Sequence, residues 1–240
     1  MENLQNKNVV IAGATGGIGH ALAKFVKNSK ANVFLTGRDA DALNKVAEDV
    51  GIPSRQIFVL DITNHSEVLA TAEKINEATG EQGVEILVNA TGVGIIKPLD
   101  DLTFEDFSHS LDVNLKGAFS LLKGFVPGMK KRKKGLIINL PGVLGKTPMA
   151  GASAYAASKY GLNGMLKSVR EELKRTQVRI TNLYLGGTDT AFWDTIDLRV
   201  QRDKFVTAEE AARSIWFLCQ QPSSGVVSEM VLQPFNHQAI

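Results

Sequence analysis

The sequence predicts a single α/β domain built around a doubly wound parallel sheet. Its 240 residues suit one domain of this class. Seven short runs are rich in valine, isoleucine and leucine and lack polar alternation, which is typical of strands covered on both faces. Six longer amphipathic stretches separate these runs, and this alternation favours parallel strands joined by helices.

In chain order, the predicted strands and helices use nearly the whole sequence. The strands are expected at 8–13, 31–36, 56–61, 84–90, 135–140, 177–185 and 226–232. The helices are expected at 17–29, 39–50, 65–79, 103–129, 152–175 and 207–220. Five side chains of the kinds that favour helix N-caps are expected to begin helices: Asp39, Ser66, Thr103, Ser153 and Thr207.

The composition is that of an ordinary folded protein. Hydrophobic residues make up 44% and charged residues 22%, which excludes a disordered chain, a collagen-like chain and a coiled coil. The one cysteine, Cys219, excludes an internal disulfide framework and a cysteine-rich zinc site. The histidines are scattered without the spacing of metal ligands, so we expect no metal site. They are His20, His65, His109 and His237.

Charge and hydropathy give no indication of a polymeric or membrane partner. A formal net charge of +2 is too balanced to indicate nucleic-acid binding. The basic run at 130–134 follows a predicted helix, and we interpret it as solvated cations that complement the helix dipole. The N-terminus has no basic-then-apolar leader, and no apolar run approaches the roughly 18 residues of a membrane span. We expect a cytoplasmic protein with no membrane or nucleic-acid partner.

A glycine-rich turn follows the first predicted strand and precedes the first predicted helix. Gly13 suits the tight turn, Gly17 lets the backbone approach a pyrophosphate, and Gly19 allows the helix to pack closely on the strand. Any tight strand-to-helix turn uses glycine, so the pattern alone leaves a purely structural role open. Its position after the first strand favours a dinucleotide-binding loop.

The spacing Gly-x-x-x-Gly-x-Gly resembles that of the short-chain dehydrogenase/reductase family, and further motifs recur in family order over about residues 7–235. These motifs are Asp61-Ile62-Thr63, Asn89-Ala90-Thr91-Gly92, Asn114, Tyr155-Ala156-Ala157-Ser158-Lys159 and Gly186-Gly187-Thr188-Asp189-Thr190. Ala90 departs from the pattern, since the family has a second asparagine there. The resemblance implies one NAD(P)-binding Rossmann domain over residues 1–240. It also implies a homodimer or homotetramer formed through the long helices, 103–129 and 152–175.

The resemblance further implies which residues hold the cofactor. They are Gly13, Thr15, Gly16, Gly17, Ile18, Gly19, Arg38, Asp61, Ile62, Asn89, Ala90, Gly92, Tyr155, Lys159, Gly186, Thr188 and Thr190. Gly37 stands where NAD-preferring relatives carry aspartate, and the following Arg38 is suited to a 2′-phosphate, which favours NADP(H) over NAD(H). The alternative is that Arg38 is a solvated residue beside a helix that Asp39 caps.

Tyr155 and Lys159 form the predicted catalytic pair. They are four residues apart and so share one face of a helix. A free tyrosine has a pKa near 10, and a neighbouring ammonium group is expected to lower that pKa. The resemblance implies that Lys159 also holds the nicotinamide ribose, and that Asn114 holds a water that relays protons to Lys159. The alternatives are a buried tyrosine with a satisfied hydroxyl and a helical asparagine with a local hydrogen bond.

Gly142 stands where the family carries a serine whose hydroxyl polarises the substrate carbonyl. The loss of one such preorganised donor costs roughly 10²–10³ in rate. Three explanations remain open at this point. Thr91, Thr147 or Ser153 supplies the donor instead; the substrate needs little polarisation; or the chain binds NADP(H) without efficient turnover.

Residues 188–206 are expected to form a short substrate lid. Within it, Phe192 and Trp193 either cap an apolar substrate next to Gly142 or anchor the lid to the core. The function that follows is an NADPH-dependent carbonyl reductase or alcohol dehydrogenase with a small-molecule substrate and Tyr155 as the acid/base group. The alternative is an NADP(H)-binding protein with weak or no turnover, because Gly142 lacks the hydroxyl.

Overall fold

One seven-stranded parallel sheet runs through the protein, and helices cover both of its faces. A computed structural model of the chain describes residues 1–236, so His237 lies outside the described residues. The strands are β1 (Asn8–Ala12), β2 (Asn32–Gly37), β3 (Ile57–Val59), β4 (Ile86–Asn89), β5 (Lys134–Asn139), β6 (Gln177–Leu185), β7 (Thr188–Asp189), β8 (Val206–Thr207) and β9 (Glu229–Leu232). The large sheet has the order β3-β2-β1-β4-β5-β6-β9, and β7 pairs with β8 alone. The fold class predicted from the sequence is confirmed.

The helices alternate with the strands, as the sequence pattern predicts. They are α1 (Gly17–Asn28), α2 (Ala40–Val50), α3 (His65–Ala78), α4 (Phe104–Leu111), α5 (Gly117–Lys131), α6 (Ser153–Glu172) and α7 (Ala208–Cys219). The predicted helix 103–129 is not regular, because a π turn at Asp112–Lys116 separates α4 from α5. The short strands β7 and β8 lie at the two ends of the predicted lid, 188–206, and neither strand is predicted from the sequence.

Three of the five predicted N-caps are confirmed. Asp39 caps α2, and Thr103 and Thr207 each form a full capping box. The Ser66 prediction is wrong, because Asn64 accepts the hydrogen bond from the Glu67 amide and α3 begins at His65. Asparagine caps as well as serine does.

The prediction for Ser153 is wrong as well. The N-cap of α6 is Ala152, which makes no side-chain cap, and Ser153 is the first helical residue. Since Ser153 is also exposed, it plays no part in the wall of the cavity described below.

The core consists of two apolar layers, one on each face of the sheet. Val9 and Ile11 of β1 face a layer with α1, α2 and α7, whereas Val10 and Ala12 face a layer with α3, α5 and α6. All four side chains are fully buried. Strands of this kind read as continuous apolar runs, which explains why they could be found from sequence.

The strand order reverses around β1, which has β2 on one side and β4 on the other. In open α/β sheets, ligands bind in the crevice at the carboxyl ends of the strands where the order reverses. The loops that follow β1 and β4 therefore meet at the expected ligand crevice. Within residues 1–236, no helix is long and apolar enough to cross a membrane, and no three His, Cys, Asp or Glu side chains form a potential metal site.

Candidate active site

A cavity of about 840 Å³ lies beyond the carboxyl ends of β1, β4, β5 and β6. Its walls come from the loops that follow these strands, from the start of α1, from α6 and from the lid. Of the predicted cofactor residues, the following line the cavity: Thr15, Gly16, Gly17, Ile18, Gly19, Ala90, Gly92, Tyr155, Lys159, Gly186, Thr188 and Thr190. Gly142, Phe192 and Trp193, the predicted substrate residues, line it too.

The glycines after β1 form a cradle in which the backbone itself is the wall. Gly13 has a φ of +82°, and a Cβ there would lie 2.9 Å from the carbonyl carbon of Ala90. A Cβ on Gly19 would lie 2.2 Å from the Gly13 carbonyl oxygen, and one on Gly17 would lie 3.0 Å from the Thr190 Cγ2. The first amides of α1 have no helical acceptor, and the residues that carry them line the cavity. This cradle fits the pyrophosphate of a dinucleotide.

Five predicted cofactor residues do not line the cavity. Arg38 is exposed just past β2, and Gly13 forms the turn behind the wall. The Asp61 Oδ1 accepts hydrogen bonds from the Thr63 amide and hydroxyl at 2.9 and 2.8 Å, and these bonds lower the pKa of Asp61. Ile62 packs against Gly117, since a Cβ built on Gly117 would lie 2.7 Å from the Ile62 Cγ1.

Asn89 is the fifth of these residues, and its buried side chain holds the loop after β4. Its Oδ1 accepts from the Thr91 hydroxyl at 2.6 Å and from the Thr91 amide at 3.2 Å. Its Nδ2 donates to the Asn139 Oδ1 at 3.3 Å. Asn89 therefore positions backbone, and it also engages the hydroxyl of Thr91, one of the candidates for the missing donor.

Tyr155 and Lys159 lie at one wall of the cavity, whereas Asn114 does not line it and lies beside Gly92 and Lys159. The Lys159 Nζ lies 5.5 Å from the Tyr155 ring centroid and donates to the Leu140 carbonyl at 3.1 Å. A Cβ on Gly92 would lie 3.4 Å from this Nζ and 3.2 Å from the Asn114 Oδ1, so glycine is what allows the two groups to approach the same backbone.

Asn114 lies in the middle of the π turn and clamps the loop after β4. Its Oδ1 accepts from the Val93 amide at 2.9 Å, and its Nδ2 donates to the Val93 carbonyl at 3.0 Å and to the Ser158 hydroxyl at 3.0 Å. The local hydrogen bond left open as an alternative is present as well, since the Nδ2 also lies 3.4 Å from the Ser110 hydroxyl, but the tertiary bonds are shorter. Single π turns inside helices recur at functional sites.

Burial dominates the protonation of the predicted catalytic pair. It lowers the pKa of Lys159 to about 8 and raises the pKa of Tyr155 above its ordinary value. The expected lowering of the Tyr155 pKa by the ammonium group is therefore wrong for this arrangement. The physical reason is that loss of hydration disfavours both charged forms.

Gly142 adopts a backbone conformation that only glycine readily takes. Its φ is +71° and its ψ 166°. A Cβ built there would lie 3.7 Å from the Tyr155 hydroxyl and 3.5 Å from the Leu185 carbonyl oxygen. The position thus faces the tyrosine, but a serine side chain cannot be added there without backbone strain.

The three candidate replacement donors are not arranged alike. Thr91 lines the cavity, but its hydroxyl already donates to Asn89. Thr147 and Ser153 are not among the described residues of the wall. Of the three alternatives, only Thr91 is positioned at the cavity.

The lid covers Tyr155 with an aromatic side chain. The Phe192 ring centroid lies 5.9 Å from that of Tyr155 and 5.4 Å from that of Trp193. The Trp193 indole nitrogen donates to the Thr188 carbonyl at 2.9 Å. The Trp193 ring also packs on Phe205, with 5.1 Å between the ring centroids. Phe192 therefore faces the cavity beside the tyrosine, while Trp193 also anchors the lid.

Two residues that hold the lid were missed by the sequence analysis. A Cβ on Gly94 would lie 2.2 Å from the Phe192 Cζ, so this glycine forms the seat of the ring. Arg202 makes ion pairs with Asp189 and Asp194 at 2.6 Å each and donates to the Thr190 carbonyl at 3.0 Å. For Gly94, the local signal in the sequence was a glycine shortly after a strand. For Arg202 there was no such signal, because its three partners have no signature in the sequence.

The comparisons with known proteins agree with this fold. A family model described as short chain dehydrogenase matches residues 7–200. The chain belongs to the short-chain dehydrogenase family. An uncharacterized oxidoreductase from Staphylococcus saprophyticus is 30% identical over 98% of this chain and 100% of its own length.

Two solved enzyme structures are also similar to this chain. An alcohol dehydrogenase from the archaeon Thermococcus sibiricus, complexed with 5-hydroxy-NADP, has a TM-score of 0.86 and 26% identity over 98% of this chain and 100% of its own. A metagenomic short-chain oxidoreductase in complex with NADP has a TM-score of 0.81 and 29% identity over 97% and 99%. This short-chain dehydrogenase is thus an oxidoreductase of a family that binds nicotinamide cofactors and acts on small molecules.

Proposed function

We propose that this short-chain dehydrogenase is an NADPH-dependent carbonyl reductase, or the corresponding alcohol dehydrogenase, with Tyr155 as its acid/base group. The observation that carries the proposal is that Tyr155 and Lys159 line the same cavity as the glycine cradle, with the Lys159 Nζ 5.5 Å from the Tyr155 ring centroid. When bound, the nicotinamide supplies or accepts the hydride. In this proposal the whole chain, 1–240, is one cofactor-binding domain, and 188–206 is its substrate lid.

In this proposal Tyr155 donates its proton to the carbonyl oxygen, and its hydroxyl is protonated at neutral pH because burial raises rather than lowers its pKa. The Lys159 Nζ, 5.5 Å from the Tyr155 ring centroid, in this proposal holds the nicotinamide ribose beside the tyrosine. Asn114 acts in this proposal by holding the loop after β4 and, through a water, by relaying a proton to Lys159. Its position in the π turn beside Gly92 and Lys159 supports that role.

The preference for NADP(H) rests on the end of β2. Gly37 is buried, and a Cβ there would lie 3.1 Å from the Thr15 Cγ2 and 3.4 Å from the Leu43 Cδ1. An aspartate at this position would need its neighbours to shift, whereas the exposed Arg38 is free to pair with a 2′-phosphate. The NADP-type ligands of the two similar structures support the same choice.

We also propose that the protein is a homodimer or homotetramer through α4, α5 and α6. Phe104 is 79% exposed, and Phe119 and Tyr160 are 46% and 44% exposed on these helices. Large exposed apolar side chains on adjoining helices are typical of an interface between subunits. Size-exclusion chromatography with light scattering tests this directly, and a monomer at all concentrations would contradict it.

The function is tested by steady-state kinetics with a panel of ketones, aldehydes and alcohols. We expect turnover with NADPH at a kcat/KM at least about tenfold above that with NADH. Tyr155→Phe should lower kcat by about 10²–10⁴ with little change in the Kd for NADPH, because it removes only the hydroxyl. Preference for NADH would contradict the cofactor assignment, and an active Tyr155→Phe variant would contradict the mechanism.

A second function is favoured by one observation, the lack of a side-chain donor at Gly142 facing Tyr155. In that case the protein binds NADP(H) and acts through association, with weak or no turnover. Tight NADPH binding in a fluorescence titration, together with no turnover across the panel, would support this second function over the first.

A further inference from the structure

The charged side chains on the cavity wall are all cations. Among the lining residues within 1–236, they are Lys159, Arg199 and Lys204, and no aspartate or glutamate is present. Lys159 belongs to the catalytic group, whereas the other two lie on the lid. The cavity therefore presents a positive wall to whatever enters beside the lid.

The rest of the lid side of the cavity is apolar. Ile96, Val143, Leu144, Met149 and Leu198 line it together with Phe192 and Trp193. A wall of this kind suits an apolar substrate body, and a few placed polar groups then fix its orientation. Arg199 is exposed at the rim of this wall, whereas Tyr155 is only partly exposed beneath the lid.

Arg199 differs sharply from Arg202, three residues further along the lid. The Arg202 guanidinium is engaged by two carboxylates and a carbonyl. Within the part of the chain that the structure describes, the Arg199 guanidinium has no ion pair and no hydrogen bond, although Asp197 and Asp203 lie nearby in sequence. The lid thus holds one arginine that stabilises its own conformation and one whose donors remain available to a ligand.

We propose that the substrate is an apolar carbonyl compound, or the corresponding alcohol, that carries a carboxylate at the end away from the reacting carbon, and that Arg199 binds this carboxylate. This inference rests on the proposed function. The guanidinium fork matches a carboxylate through two parallel hydrogen bonds, and it stays charged at all relevant pH values. In the reaction, the carbonyl carbon gains a hydride and its oxygen gains the Tyr155 proton, while the carboxylate is unchanged.

Lys204 is less suited to this role. It also borders a neighbouring cavity of about 370 Å³, whose lining includes the acidic residues Asp203 and Glu210. Arg199 is flanked by Leu198 and Val200, which both line the main cavity. The matched variants Arg199→Gln and Lys204→Gln therefore remove the same charge from two places on the lid.

The test uses straight-chain oxo acids of increasing length, with the ketone next to the terminal methyl group, each compared with its methyl ester. Binding is measured by calorimetry at saturating NADP⁺, which does not require turnover. For the best acid we expect a Kd about tenfold below that of its ester, and Arg199→Gln should remove most of this ratio while the ester Kd changes by about twofold or less. Lys204→Gln should leave the acid-to-ester ratio nearly unchanged.

Three outcomes would overturn the inference. One is that no acid binds more tightly than its ester; another is that Lys204→Gln removes the preference instead of Arg199→Gln. The third is that Arg199→Gln weakens NADP⁺ binding and leaves the acid-to-ester ratio intact, since Arg199 would then serve the cofactor. NADPH oxidation, followed in parallel, tests the proposed function separately: acid-selective binding without any turnover would contradict the reductase and leave the carboxylate site standing.

Discussion

The two halves of the cavity are built in different ways. The cofactor half is made of backbone, because glycines after β1 and β4 bring main chains into contact, as at Gly19 and Gly13. The lid half is made of side chains: Phe192 rests on Gly94, and Arg202 joins three groups of the lid. Backbone contacts cannot give way, whereas side chains can move or be replaced. We therefore expect substitutions in the cradle to act on folding and cofactor binding together, and those around Phe192 in the lid to act on the substrate alone.

The largest effect should come from Gly19→Ala, which tests the rigidity of the cradle. The new Cβ would lie 2.2 Å from the Gly13 carbonyl oxygen and 2.9 Å from the Ala14 Cα, and both are backbone atoms. We expect the free energy of unfolding to fall by about 3 kcal/mol and the Kd for NADPH to rise by about tenfold or more. Chemical denaturation and a fluorescence titration measure the two.

Gly16→Ala is the matched control, because its Cβ would meet nothing closer than 3.5 Å and its backbone suits alanine. Its free energy of unfolding should change by about 0.5 kcal/mol or less. Equal destabilisation by both substitutions would show that the cradle is not rigid in the way described.

Gly94→Ala should act on the lid half alone. The new Cβ would lie 2.2 Å from the Phe192 Cζ, so the ring must leave its seat beside Tyr155. We expect KM for the carbonyl substrate to rise by about tenfold with a nearly unchanged Kd for NADPH. Gly164→Ala, at a helical position with nothing within 4 Å of the new Cβ, should leave KM unchanged. If Gly94→Ala weakens NADPH binding as much as substrate binding, the two halves are not separable.

Gly142 lies where the two halves meet, and its substitutions separate strain from chemistry. Gly142→Ala and Gly142→Ser should both lower the free energy of unfolding by about 1–3 kcal/mol, because both force a side chain into a conformation that only glycine readily adopts. A difference in kcat/KM between these two variants isolates the hydroxyl. Neither variant should have a higher kcat/KM than the wild type. A Gly142→Ser variant of undiminished stability and higher activity would contradict the strained geometry.

The smallest expected effect concerns the free energy of unfolding, which the burial of the Lys159 ammonium lowers. Burial lowers its pKa from 10.5 to about 8, so the unfolded chain holds the proton more tightly than the folded protein between these values. The cost is therefore fully present below about pH 8 and is relieved as the pH rises through this window. Lys159→Met should raise the free energy of unfolding by about 1–2 kcal/mol near neutral pH, and the gain should shrink toward about pH 10. A gain that does not vary with pH would show that lost hydration of the ammonium is not its cause.

The strands and the glycine turn could be predicted because each depends on residues that are close together in the sequence. Val9, Val10 and Ile11 are apolar on both sides of their strand, and the turn needs glycine within a few residues. Helix starts were less predictable, since Asn64 rather than Ser66 caps α3. Which of several capping residues is used depends on where the chain bends into the helix, and that bend is set by packing.

By itself, the sequence determined the doubly wound sheet, the glycine turn and the spacing of Tyr155 and Lys159, because these depend on neighbours along the chain. Tertiary structure decided how those residues behave. Burial lowers the pKa of Lys159 to about 8. Phe192 packs on Gly94, almost a hundred positions away in the sequence. The positive φ at position 142 favours glycine there. Lost hydration, distant contacts and backbone conformation all arise only when the chain has folded. That is why the chemistry of the site, unlike its location, required the structure.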